Sequence, residues 1–584
     1  MKHEAINFKN LLALFFTFSM CAISQTKLSG QKNPDTDLYL QSSEVANVLV
    51  QYEADKGSLL RFYFIDSSPE RRIRFKAFYN DYLKRLNAID FNSISQQGKI
   101  DYILFDRKLK NELAKLDLEE KEYNQIASYI PFATGIYSLE KARRRGPVLR
   151  ADSIAAEMNT WNKLLAQQIK KFEKGDSLER NLSIRCQMAL GGLAEAMTSV
   201  TEFYDGYDPS FTWWTERPAK VTDSLLRAYK ALVKNRTKIT TSQKPDSSGI
   251  VGKPIGREEL IRQLEYEMIP YTPEEIIDIA NKEFAWCDNE LMKATKEMGF
   301  DTDWRKAQEK VKNSYVPEGR QPELILRLYN ESVDFLKKHD LVTIPPIAEE
   351  TWRMNMMSPE RQLINPFFLG GEEIIISYPT NTMDHDDKMM SMRGNNPHFS
   401  RSTVHHELIA GHRLQLFMSD RYRPYRKFQT PFFVEGWALY WEFLLWDMGF
   451  PQTPEDKIGM LFWRMHRCAR IIFSMNYHLN KWTPQQCIDF LVDRVGHERA
   501  NAEGEVRRSF TGNYGPLYQI AYMLGGLQFY ALKKEVVDSG KMTYKQYHDA
   551  ILQNNMMPVE MVRAGLLNIP LQKDFKTNWR FYGK

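Results

Sequence analysis

The chain is 584 residues long with a mass of 68.5 kDa. Hydrophobic residues make up 43% and charged residues 26%, an ordinary globular balance that excludes disorder, collagen and coiled coil as descriptions of the whole and leaves length for a large core. The net charge is only +5, from 79 basic and 74 acidic residues, which gives no support to a general nucleic-acid binder.

Taken in chain order, residues 1–24 read as an export signal: Lys2 and Lys9 supply the positive start, Leu11–Met20 the apolar run LLALFFTFSM, and Ala22 and Ser24 the small residues of a cleavage site. That run is too short to span a bilayer, which needs ~20 residues. A lipid anchor at Cys21 is the weaker alternative, because Met20 is bulky. The mature chain is therefore expected in the periplasm or outside the cell, with no further membrane segment. Cys186, Cys287, Cys468 and Cys487 are scattered with no C-x-x-C, so buried free thiols are expected, although an exported protein permits a disulfide.

Residues 68–90 and 152–204 carry helical periodicity. Residues 237–256, TKITTSQKPDSSGIVGKPIG, read as a surface loop or as the boundary between an N-terminal helical region (25–245) and a catalytic helical region (246–584), packed together as one large fold. Thr272-Pro273-Glu274-Glu275 is a capping box with proline in the first turn, Thr483 to Gln486 opens another helix, and Thr543 with Gln546 a third. Strand signals are few; the best is Glu373–Tyr378 after Gly370-Gly371, and 379–400 reads as a loop. The expected class is mainly α with a small β element near 373–380.

The richest chemistry lies in Ser402–Gln415, STVHHELIAGHRLQ, with His405, His406, Glu407 and His412 close together. In H-E-x-x-H, two histidines one turn apart bind zinc and the glutamate is a general base. Here the second histidine follows His406 by six positions. On an unbroken helix that is a rise of ~9 Å and a rotation of ~600°, so the rings would diverge. Ala410-Gly411 supplies a place for the helix to break and turn His412 back. A third ligand is sought from a later helix. Glu435, in the apolar stretch PFFVEGWALY, is the candidate, since a lone carboxylate there is costly to bury unless paired or coordinated. Glu442 is a weaker candidate for supporting it, and His405 is expected to pack beside the site.

VHHELIAGHRLQ, FFVEGWALYWE and ARIIFSMNYHLNKWTPQQCIDFL, with GKPIGREEL and PLYQIAYMLG, resemble the bacterial domain-of-unknown-function family 885 over roughly residues 40–570. That family is regarded as a helical, zincin-like relative of metallopeptidases such as angiotensin-converting enzyme and thimet oligopeptidase. The resemblance implies a large helical fold around a deep channel, zinc on His406, His412 and Glu435, and Glu407 as base. The chain departs from the family pattern at Ala410, where proline is usual, and at Arg413, where a second histidine is frequent.

The function expected on these grounds is an exported zinc metallopeptidase acting on short peptides. Glu407 would activate water, and His478, Tyr518 or Tyr522 would stabilise the oxyanion; Tyr514 is a further candidate. Arg508 has the chemistry to hold a substrate carboxylate, against its commoner role as a salt-bridge partner. The rivals are a zinc hydrolase of an ester or non-peptide amide, and an exported binding protein with a structural metal.

Overall fold

A computed structural model of the chain describes residues 42–238, 246–362, 365, 367–512 and 514–583. The expected signal, residues 1–24 with Cys21, lies outside the described residues, as does 239–245 of the Ser/Gly-rich stretch. The fold is mainly helical, as the sequence indicates. Among the described residues the strands form two short parallel pairs, β1 (Leu178–Glu179) with β2 (Thr237–Lys238) and β3 (Arg353–Met356) with β4 (Glu373–Ile376).

Among the described residues seven helices come first: α1 (Ala46–Phe62), α2 (Pro69–Asn87), α3 (Gln96–Ile126), α4 (Ala133–Arg143), α5 (Ala151–Glu173), α6 (Arg180–Tyr204) and α7 (Pro209–Asn235). Their starts follow capping chemistry: Ser68, Ser95 and Asp208 each accept a first-turn backbone N–H. The periodic stretch 152–204 is two helices rather than one, because the chain turns at Gly175, where φ is +113°, a value side chains disfavour. An apolar cluster that includes Trp161, Phe172, Leu193 and Tyr229 fills the interior of α4–α7.

A second, larger cluster runs from Val45 to Phe581 and joins the first helices to everything after Ile250. It is built on α8 (Arg257–Tyr266), α9 (Pro273–Glu297), α10 (Trp304–Lys312), α11 (Gln321–Lys338), the short α12 (Pro346–Glu350) and α13 (Pro359–Gln362), and α14 (His385–Gly394). Then come α15 (Pro397–Glu407), α16 (His412–Ser419), α17 (Pro431–Asp447), α18 (Pro454–His478), α19 (Pro484–Val495), α20 (Arg499–Thr511), α21 (Tyr518–Lys533), α22 (Tyr544–Gln553) and α23 (Val559–Leu566). The capping boxes at Thr272, Thr483 and Thr543 all form. The expected loop at 379–400 is instead mostly helix: α14 occupies its centre, and Asn396 caps α15 through the His398 and Phe399 N–H groups with Pro397 in the first turn. Asn-Pro is a start signal that the polar composition of the segment masked. No described helix is long and apolar enough to cross a membrane, and the four described cysteines are free and buried.

α17 and α18 are the central helices. α17 is buried along almost its whole length with two carboxylates, Glu435 and Glu442, among aromatic residues. It crosses α21 backbone on backbone. A Cβ on Gly436 would sit 2.5 Å from the Gly525 main chain, and one on Gly525 would run into the Phe432 carbonyl. That close crossing sets Glu435 beside Tyr518 and Tyr522.

Candidate metal centre

The helix carrying His406 does stop. α15 ends at Glu407, Leu408 leaves helical geometry, the Ile409–Ala410 peptide is cis, and α16 begins at His412 with Gly411 at its N-cap. Gly411 is required by space: a Cβ there would run into the His406 carbonyl oxygen. Trp437 Nε1 donates to the Ala410 carbonyl at 2.8 Å and ties the break to α17. The two imidazole rings consequently meet edge to face, with centroids 4.9 Å apart.

Glu435 closes the cluster. Its Oε2 lies 3.5 Å from His406 Nε2 and 3.2 Å from His412 Nε2. A tetrahedral ion with ligand bonds of ~2.0–2.1 Å places its ligand atoms ~3.3–3.4 Å apart, and the two separations bracket that edge. Tyr518 donates its hydroxyl to Glu435 Oε1, leaving Oε2 for the histidines. His406 Nδ1 bonds Glu442 Oε1 at 2.8 Å, which turns Nε2 inward, the outer-carboxylate support common to metal-binding histidines. Glu407 completes the group: one donor atom each from His406, Glu407 and His412 lie within 4.8 Å of one another, and Glu407 Oε2 stands 4.0 Å from His412 Nε2. Two imidazoles and a carboxylate with a second carboxylate alongside are a donor set that suits zinc.

The electrostatics of the protein groups agree. Burial opposes charge on His406, yet its bonds to Glu435 and Glu442 hold its pKa up at about 9. Burial also opposes ionisation of Glu435, but the adjoining histidines keep it well below the usual carboxylate range. Glu407 differs: burial is the dominant influence and pushes it up. The centre thus holds one carboxylate fixed as an anion and another with a raised proton affinity.

A cavity of about 130 Å³ opens on this cluster, lined by His406, Glu407, His412 and Glu435, by Leu369 and Gly370, and by Arg467, Arg470, Arg508, Tyr514, Tyr518 and Tyr522. Of the expected catalytic residues, Glu407, Tyr518 and Tyr522 are brought here. His478 is not: it lies at the C-terminal end of α18, two turns beyond Arg470, packed on Tyr477 and Phe510, with burial lowering its pKa to about 4. Helix α18 faces the cavity with its middle, so the oxyanion role expected of His478 has no geometric support. His405 also points elsewhere, its Nδ1 on the Arg401 carbonyl at 2.9 Å. Glu373–Ile376, the core of the best strand signal, has both sides engaged, with β3 on one and Leu369 on the other. The Leu369–Gly370 segment lines the cavity in its place, and Gly370 lets it lie against the Glu407 side chain.

Sequence reasoning missed Arg467 and Arg470. Both sit on a helix that reads as ordinarily amphipathic, and only their burial singles them out. It also gave Gly436 and Trp437 no role, although each neighbours Glu435 in the motif.

The fold has counterparts. The chain is similar to the solved structure of a protein from Shewanella oneidensis described as a candidate lipoprotein of unknown function, with a TM-score of 0.64 at 17% identity, covering 90% of this chain and 100% of that one. A second such candidate lipoprotein, from Colwellia psychrerythraea, gives a TM-score of 0.56 at 15% identity over 90% and 98% of the two chains. No curated protein matches. The family model described as "Bacterial protein of unknown function (DUF885)" matches residues 63–566, and the chain belongs to that family.

Proposed function

We propose that the protein is an exported zinc-dependent hydrolase of short peptides, its helical shell a zincin-like fold of the oligopeptidase type around a channel. The observation that carries this reading is the convergence of His406 Nε2, His412 Nε2 and Glu435 Oε2 at tetrahedral-edge separations with Glu407 beside them. Zinc bound by these three would supply Lewis acidity and lower the pKa of a coordinated water towards ~7. Glu407, with its raised proton affinity, accepts the proton of the attacking water and returns it to the leaving amine. Tyr518 holds Glu435 in place, and Tyr522 and the arginines face the cavity where negative charge develops. Export rests on the pattern of residues 1–24 and on the description of the two structural relatives as candidate lipoproteins.

Metal analysis beside digestion of a peptide library, for the native protein and Glu407→Gln, tests the proposal. The expected result is one zinc per chain in both proteins and hydrolysis in the native one only. Zinc lost from Glu407→Gln would make Glu407 a fourth ligand, and a closed site of that kind is a structural one. Cleavage of ester substrates alone would replace peptides by a different substrate class.

A further inference from the structure

We infer that the arginine-lined part of this cavity wall is a carboxylate subsite, so that the preferred substrate is a short peptide bearing a free carboxylate within about one residue of the bond broken. The inference rests on the hydrolase reading above and adds its substrate class.

Helix α18 contributes Arg467 and Arg470 to the wall and α20 contributes Arg508. Their exposures are 5%, 3% and 9%. Three buried guanidinium groups require anions, because an unpaired buried charge is strongly unfavourable, and the carboxylates that reach them, Glu505 and Glu442, are shared. Glu505 is shared: its Oε1 accepts from Arg470 Nε at 2.7 Å, and its Oε2 lies 3.4 Å from Arg508 Nε. Arg467 has only Glu442 Oε1 at 3.7 Å, an atom already bonded to His406. Glu435 is occupied by two histidines and Tyr518. Arg467 Nε and Arg470 Nη1 consequently make no hydrogen bond despite being buried.

The arginines are also held as a receptor would hold them. The guanidinium groups of Arg467 and Arg470 lie over the Tyr522 ring at 4.6 and 4.5 Å, and that of Arg508 over Tyr514 at 4.9 Å. These contacts hold the guanidinium groups in place, and a guanidinium so held can present its N–H edge to a planar anion, as arginine does to carboxylate. The size of the cavity sets the distance. At about 130 Å³ it is well below the ~300 Å³ at which ligand pockets begin, so the anionic group must stand close to the reacting bond. A C-terminal carboxylate and an acidic side chain share this chemistry.

Two substrate pairs separate these sources: trialanine against its C-terminal amide, and a C-terminally amidated peptide with Glu beside the scissile bond against the same peptide with Gln. With zinc-loaded protein the acid member of at least one pair should be cleaved roughly 10- to 100-fold more efficiently in kcat/KM, the range set by hydrogen bonds to charged groups. Arg508→Gln should collapse that ratio towards one. The ratio is internal to each sample, so partial misfolding of a variant does not move it. Calorimetry on zinc-loaded Glu407→Gln supplies a readout without turnover, with acetylalanine binding more tightly than acetylalaninamide. Equal cleavage within both pairs overturns the subsite and leaves the hydrolase standing. If no peptide is cleaved, the hydrolase reading fails and calorimetry alone decides the subsite, equal affinity for the two acetylalanine probes overturning it.

Discussion

The α4–α7 bundle and the α15–α21 core are built from the same kind of helix and treat buried charge in opposite ways. In the bundle, buried Glu140 is gripped by Arg144 through Nε and Nη2 at 2.6–3.0 Å, and the apolar faces simply interlock. In the core, Glu435, Glu442, Arg467, Arg470 and Arg508 are buried with incomplete or shared partners, the first four on helices buried along almost their whole length. Saturated charge is structural. Charge that remains unsatisfied after folding marks the place where something else is meant to arrive.

The largest effect that would sharpen this contrast is on chemistry. Glu407→Gln should lower peptide turnover by ~10²–10⁴-fold, the usual worth of a general base, with the melting temperature nearly unchanged. Gly411→Ala should come next. The added Cβ collides with the His406 carbonyl, so the break cannot keep its shape, and both zinc content and thermal stability should fall, the latter by a few kcal/mol. Glu442→Ala removes the acceptor that orients His406 and should weaken zinc affinity by ~10–100-fold in a chelator competition.

Acid should act more gently. Burial depresses the pKa of both His497 and His548 to about 3, against ~6.5 in an unfolded chain. Below 6.5 the unfolded state binds more protons, so the stabilising effect of keeping these rings neutral is whole above that pH and is lost as pH falls towards 3. Melting curves should shift down steadily over this window, by about 2 kcal/mol per histidine at pH 5. The smallest effect should lie in the bundle: exposed Trp213→Ala should change stability by less than about 0.5 kcal/mol and leave turnover alone. A large loss of activity there would break the division drawn between the two regions.

The local features were legible. Three capping boxes, the helix break at Gly411 and the isolated carboxylate at Glu435 each follow from chemistry within a few residues. What escaped depends on which surfaces meet. His478 and Arg470 lie on one helix, and only the packing of α18 decides that the arginine, not the histidine, reaches the cavity. The helix over 385–394 was hidden because its polar residues give no clear apolar stripe, and the fold supplies the contacts that its own pattern lacks. Gly370 was noticed only as punctuation before a strand, whereas its importance is the room it leaves for Glu407.

Where Gly436 and Gly525 touch, nothing but main chain separates α17 from α21. The gap between Glu435 and Tyr518 is thereby gauged by peptide geometry, which every sequence shares, instead of by the bulk of particular side chains. Neighbouring core positions can drift in size over evolutionary time without retuning the grip on Glu435, provided those two positions stay bare.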